Sequence, residues 1–306
     1  MRIILNYKAK CKTVCIAASL VGVLLSGCSV MQPAPRTPDA PINITKKLPK
    51  IGLALGGGAA RGFAHVGVIQ VLEEAGIQPD YVVGTSAGSL VAALYASGKN
   101  GKQLQTVAET MEEAALTDWT LPFISRGMLR GEALARYVSG QVGGKTIESF
   151  ALPLGIVATD LHNGKGVLFV TGDTATAVRA SSSVPGVFQP VKIGTREYVD
   201  GGLVSPVPVR YARQMGAEVV IAVDISATPE SNPALSTMDI MLQTFAIMSL
   251  SINAFELREA DVAVRPSLGG VSSADFASKR KSIEAGRAAM IAALPQLKTA
   301  IAVKSQ

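Results

Sequence analysis

Cysteine is scarce and confined to one end: the 306 residues hold three, Cys11, Cys15 and Cys28. Everything after position 28 therefore lacks a thiol for a disulfide, a thiolate metal site or a thiol nucleophile. Histidine is scarcer still, with His65 and His162 alone, which leaves few choices for an imidazole base. Aromatic residues make up 5%, too few for a surface that stacks single-stranded nucleic acid. Charged residues reach only 17% against 48% apolar, which excludes a disordered chain and supplies ample core for one large α/β domain or two smaller ones. There is no internal repeat.

The formal charge of +6 looks basic, but its source is local. Arg2, Lys8, Lys10 and Lys12 lie in residues 1–27, where no acidic residue occurs. Without them, 29 − 4 = 25 basic residues face 23 acidic ones, a balance of +2, and a nucleic-acid role loses its electrostatic support. Those four cations precede the apolar run Cys15 to Leu25, too short to span a bilayer comfortably. The run ends in Leu25-Ser26-Gly27-Cys28, which resembles the bacterial lipobox. The expectation is a signal peptide over 1–27, cleavage before Cys28, and acylation of that cysteine, whose acyl chains exceed the two-signal requirement for stable anchoring. Residue 29 is Ser, not Asp, which under the enteric sorting rule places the chain at the outer membrane of a bacterial envelope, facing the periplasm. Residues 28–48 contain Pro33, Pro35, Pro38 and Pro41 with no apolar period and read as an extended tether. A single folded domain is expected over 49–306.

From Pro49 onward, strand-like apolar runs alternate with helical patterns. Strands are expected at Ile51–Leu55, Tyr81–Val83, Leu154–Thr159, Val167–Thr171 and Val219–Val223. Helices are expected over about 62–75, 89–96 and 207–214, with 102–140 mainly helical. His162-Asn163-Gly164 is a hairpin signal between two of the strands. This rhythm predicts an α/β fold with a mostly parallel sheet between helix layers. Met238 to Leu257 carries apolar residues at helical spacing and is expected to face the core, or to wall an acyl chain with adaptable methionines. Lys279-Arg280-Lys281 reads as a solvated helix start, and Pro295 as a kink or end of the last helix.

Gly84-Thr85-Ser86-Ala87-Gly88 follows a strand and precedes a helix, the setting of a nucleophile elbow. A serine exposed on so sharp a turn needs small neighbours at Gly84 and Gly88, and the following helix brings partial positive charge to a developing oxyanion. Ser86 requires a base. His65 precedes it within a helical stretch, against the Ser–acid–His chain order. His162 sits at a hairpin tip, where a surface role is expected, and a triad through it would need Asp118 or Glu148. Asp200, in Tyr198-Val199-Asp200-Gly201-Gly202, ends a strand at a glycine turn, where burial would tune a carboxylate toward a general base; a solvated turn aspartate has the same spacing. On the residues alone this choice stays open. Gly56-Gly57-Gly58-Ala59-Ala60-Arg61-Gly62 lacks the Lys-Ser/Thr ending of a phosphate loop but suits an oxyanion loop of bare amides. Arg61 would order that loop, attract an anionic headgroup or form a structural ion pair.

Taken together, the glycine loop, Gly84-x-Ser86-x-Gly88, Ala158-Thr159-Asp160-Leu161, Arg179-Ala180-Ser181 with Pro185 and Phe188, and Asp200-Gly201-Gly202 resemble the patatin-like phospholipase family over residues 49–225. The resemblance implies a three-layer α/β/α fold and a Ser86–Asp200 dyad in place of a triad. It implies oxyanion donors at Gly56, Gly57 and Gly58, supported by Arg61 and Gly62, no metal or cofactor, and a membrane phospholipid or lysophospholipid substrate. Two other readings stand beside it: an esterase or thioesterase for small soluble acyl groups, and a non-catalytic envelope scaffold.

Overall fold

The computed structural model describes residues 47–120, 126–229 and 235–305. The expected signal peptide, Cys28 and nearly all of the expected tether lie outside them. In chain order the elements begin with β1 (Ile51–Leu55), α1 (Ala64–Glu74), β2 (Tyr81–Thr85), α2 (Ala87–Ala96), α3 (Gly101–Thr110), β3 (Gly127–Leu129) and α4 (Glu132–Val142). There follow β4 (Leu154–Asp160), β5 (Gly166–Phe169), α5 (Thr174–Ser181), β6 (Gly186–Phe188), β7 (Val191–Ile193) and β8 (Arg196–Asp200). The chain closes with α6 (Val209–Gln214), β9 (Val219–Val223), α7 (Thr237–Glu256), β10 (Val262–Val264) and α8 (Lys279–Lys304).

The central sheet runs β10-β9-β1-β2-β4-β8-β7, with β5 on β4. The five strands from β10 to β4 are parallel to their neighbours, while β5, β7 and β8 pair antiparallel. β1 and β9 have no charged side chain and are buried along their whole length, as strands covered on both faces must be. Alternation in β1 sorts its side chains: Leu53 and Leu55 join the larger core with α1, α2 and α8, while Ala54 joins the smaller one with α6. The sheet therefore lies between two helical layers, and the α/β/α expectation holds.

Three local expectations give way. Residues 102–140 are not mainly helical: α3 stops at Thr110, a short 3₁₀ turn covers Glu113–Ala115, and β3 precedes α4. β3 pairs with β6 in a separate two-stranded sheet, a pairing across some 60 positions that no local pattern announces. α8 runs through Pro295 to Lys304, so the proline does not end the last helix. α7 forms where its periodicity predicts, yet only Asn253 and Glu256 of its twenty residues are buried. It does not face the core. Its apolar residues are not matched by a facing apolar layer, so helical spacing alone misled.

Candidate active site

β2 and β8 flank β4, one parallel and the other antiparallel to it, and their registers bring Thr85 beside Val157 and Asp200 beside Ala158. Chain ends that run in opposite directions thus meet at one level of the sheet. Gly201 makes the close passage possible: a Cβ there would run into the Val157 carbonyl and lie 3.2 Å from Thr85 Cγ2. Thr159 Oγ1 donates to the Asp200 carbonyl at 2.8 Å, and Thr85 Oγ1 donates to the Ser205 carbonyl at 2.9 Å. Both sides of the meeting point are pinned by buried hydroxyls.

Ser86 closes β2 and opens α2 with φ 53° and ψ −125°. A non-glycine residue in this region is strained, and the turn holds it by its neighbours. Its amide donates to Ser181 Oγ at 2.8 Å, and its carbonyl accepts from the Ser89 amide and hydroxyl. A Cβ at Gly84 would strike the Gly88 carbonyl, and one at Gly88 the Leu55 carbonyl, so both elbow glycines are sterically required. Ser86 Oγ donates to Asp200 Oδ2 at 2.6 Å, and the Gly202 amide donates to Oδ1 at 2.7 Å. Burial pushes the Asp200 carboxyl up to about 6, against the opposing pull of these two donors. A carboxylate so tuned and so placed can take a serine proton near neutral pH.

Neither histidine reaches Ser86. His162 is half exposed at the β4–β5 turn, with its amide donating to Asp160. His65 is fully buried in α1, and its Nε2–H donates to the Gly56 carbonyl at 2.8 Å. Burial pushes its imidazole down to about 4, so it stays neutral and steadies the glycine loop. The acids of a conventional triad are also engaged elsewhere: Asp118 accepts the amides of Gly131, Glu132 and Ala133 at the start of α4, and Glu148 accepts the Gly172 amide.

The glycine loop lies against the elbow, with a Cβ on Gly57 reaching to 3.1 Å from Ser86 Cβ. Two of its first three glycine amides already have carbonyl acceptors. The Gly56 amide donates to the Val223 carbonyl at 3.0 Å and the Gly57 amide to the Pro206 carbonyl at 2.9 Å. Among the described residues, the amides of Gly58 and Ala59 donate to no carbonyl and remain free for an oxyanion. Arg61 is a clamp and, among the described residues, forms no direct ion pair. Its guanidinium donates to the carbonyls of Ile225, Ser226 and Val271 at 2.8, 3.0 and 3.4 Å. Gly62 lets the loop pass Ala87, whose Cβ would be 3.0 Å from one placed there.

Ser86 opens on a cavity of about 290 Å³ lined mainly by apolar side chains, among them Phe63, Leu90, Leu94, Leu104, Met111, Leu134 and Phe188. Ser273, Ala274 and Phe276 complete the wall from the C-terminal third. No residue of α7 lines it, which corrects the acyl-wall reading. Lys279 and Arg280 tie the start of α8 to the end of α3, through the carbonyls of Glu109 and Met111 and the Glu109 carboxylate. Sequence reasoning quoted Ser181 only as part of a motif. Its hydroxyl bridges Ser86 and the Val157 carbonyl, and its partner lies 95 positions away, beyond any local signal.

Residues 53–213 match the patatin-like phospholipase family. An uncharacterised NTE family protein of Mycobacterium tuberculosis is 37% identical over 187 residues, covering 61% of this chain and 51% of the relative. A second mycobacterial NTE family protein is 30% identical over 271 residues, covering 80% and 46%. Patatin-like phospholipase domain-containing protein 6 of Mus musculus is 36% identical over 191 residues, covering 60% and 14%. The chain thus spans about half the length, or less, of these curated relatives. VipD from Legionella pneumophila shares the fold with a TM-score of 0.56 at 14% identity, over 82% of this chain and 67% of that one.

Proposed function

The chain belongs to the patatin-like phospholipase family, and from that premise we propose that it hydrolyses acyl esters of membrane lipids, as a phospholipase A or lysophospholipase. The observation that carries the proposal is the 2.6 Å bond from Ser86 Oγ to a buried Asp200 carboxylate at the mouth of an apolar cavity. A nucleophile, a base of suitable basicity and room for a hydrocarbon chain meet at one point. Asp200 accepts the Ser86 proton as Oγ bonds to the ester carbonyl carbon. The carbonyl electrons move to oxygen, which the Gly58 and Ala59 amides and the α2 N-terminus stabilise. The C–O bond to the alcohol then breaks, with the proton passing from Asp200 to the departing alkoxide, and an acyl-Ser86 remains. Water gives its proton to Asp200 as it attacks the acyl carbon; the bond from that carbon to Oγ then breaks, Asp200 returns the proton to Oγ, and the fatty acid leaves with Ser86 restored.

The same proposal extends to the N-terminus. Acylation of Cys28 would hold the enzyme in a bacterial envelope, at the outer membrane facing the periplasm, where its substrate lies. Mass spectrometry of the mature N-terminal peptide tests this: an unmodified Cys28, or an uncleaved leader, overturns it.

A fluorophosphonate probe on wild type, Ser86→Ala and Asp200→Ala tests the mechanism without assuming a substrate. Labelling that persists in Ser86→Ala refutes Ser86 as nucleophile, and absence of labelling in wild type favours a scaffold. Phospholipid vesicles compared with short-chain nitrophenyl esters test the substrate class. Vesicles left intact while soluble esters turn over would replace the lipid reading with a soluble esterase.

A further inference from the structure

α7 presents to solvent what most helices bury. Ile240, Ile247 and Phe255 are 57%, 51% and 70% exposed and fall on one stripe, with Thr244 and Ser251 between them. From Ile240 to Phe255 the helix has no charged residue. Solvated surface helices carry charge on their outer face; this one exposes isoleucine, leucine, methionine and phenylalanine, while the two residues it buries, Asn253 and Glu256, are polar. Its inner face is hooked to the catalytic framework. Glu256 accepts from Ser205 Oγ, whose own carbonyl holds Thr85 of the elbow. Asn253 Nδ2 donates to Ser226 Oγ, whose carbonyl holds Arg61 of the glycine loop.

The other end of the helix meets the cavity mouth. Met238 and Met241 cover Gly186 of β6, and the neighbouring Val187 and Phe188 line the cavity. β6 pairs with β3, and on the far side of β3 Trp119 bridges Leu129. Trp119, the chain's single tryptophan, is 70% exposed. Tryptophan in such a position is characteristic of the headgroup level of a bilayer, where its ring is apolar and its N–H wet. Charge agrees: Arg258 stacks on Phe255 at 5.5 Å, and Arg130 stands exposed next to Leu129. A guanidinium thus stands at each end of the apolar surface to meet headgroup phosphates, with exposed Glu259 beside one and exposed Glu132 beside the other.

We propose that α7 and Trp119 form a docking surface for a phospholipid leaflet with anionic headgroups, which sets the acyl cavity against the lipid. The hooks through Glu256 and Asn253 hold the helix in fixed register with the elbow and the glycine loop, so lipid seated on α7 is presented to Ser86. The surface rests on the lipid-ester reading for its purpose, and it is distinct from any N-terminal anchor, which tethers the chain without orienting the site.

The test uses the full chain carrying Ser86→Ala, reconstituted with phosphatidylglycerol/phosphatidylcholine vesicles whose acyl chains are brominated. Anchoring alone leaves Trp119 in water; docking immerses it. The expected result is a blue-shifted Trp119 emission quenched by the bromines and reduced in pure phosphatidylcholine. Ile247→Asp with Phe255→Asp lowers the docking constant on the order of a hundredfold or more and abolishes the quenching. In the Ser86 enzyme this pair depresses vesicle turnover far more than soluble-ester turnover, and the soluble ester separately reports whether the hydrolase reading stands. Unquenched Trp119 in anchored protein overturns the surface even where esters are hydrolysed. So does quenching that survives the paired aspartates. A detergent-solubilised dimer that the same pair dissociates would assign the face to a second copy.

Discussion

Replacing Asp200 by Asn separates the catalytic use of this carboxylate from its structural cost. Asn has nearly the same shape and keeps an oxygen for the Gly202 amide, but it cannot accept a proton from Ser86. If Asp200 is the base, hydrolysis of a soluble ester falls by roughly 10²–10⁴-fold. Stability moves the other way. The folded carboxyl has a pKa of about 6 against an ordinary 3.8, because burial disfavours its charge. At about 1.4 kcal/mol per pKa unit this is about 3 kcal/mol. Below pH 3.8 the carboxyl is protonated in both folded and unfolded chains and the cost is absent. Between 3.8 and about 6 the folded chain holds more of the proton, so wild-type stability falls as pH rises. Above about 6 both states are ionised and the cost is complete. Asn does not titrate. The stability of Asp200→Asn relative to wild type should therefore grow by about 2 kcal/mol between pH 4 and pH 7, the rest of the cost being present already at pH 4. Urea unfolding followed by circular dichroism at several pH values measures it. A difference that is flat or shrinks with pH would refute the buried-base argument, as would activity within tenfold of wild type.

The same carboxyl predicts that kcat/KM for a soluble ester loses activity as pH falls through about 6, while a profile flat to pH 4.5 would point to another base. Ser181→Ala removes the acceptor of the Ser86 amide and should lower kcat with little change in KM; an unaltered kcat would show that the strained turn holds without it. Arg61→Ala leaves three carbonyls without their donor and should destabilise the fold by about 3 kcal/mol or more, seen as a lower urea midpoint. His162→Ala should leave soluble-ester kcat/KM within twofold, since the ring is half exposed and makes no bond to Ser86; inactivation would restore a triad.

Much of the site was legible in the sequence because its demands are local. Gly84 and Gly88 are forced by clashes within the same five-residue turn and with β1. The strand-to-helix switch at Ser86 follows from apolar runs on either side of it. Other features were legible only in part. The glycine loop announced itself, but which amides remain free depended on Val223 and Pro206, far along the chain, which engage Gly56 and Gly57. Arg61 had three plausible roles until three carbonyls from two distant segments closed around it.

What the sequence determined by itself was the alternation of the main strands and helices, the elbow, and a poverty of histidine that narrowed the choice of base without making it. Only the tertiary structure brought the Asp200 carboxylate beside Ser86, because an antiparallel β8 must lie next to β4 to bring the two strand ends to one height. It alone decided that α7 faces outward. Helical periodicity records that a helix has an apolar side, and the physical identity of what covers that side, core or lipid, is a property of the surroundings and not of the spacing.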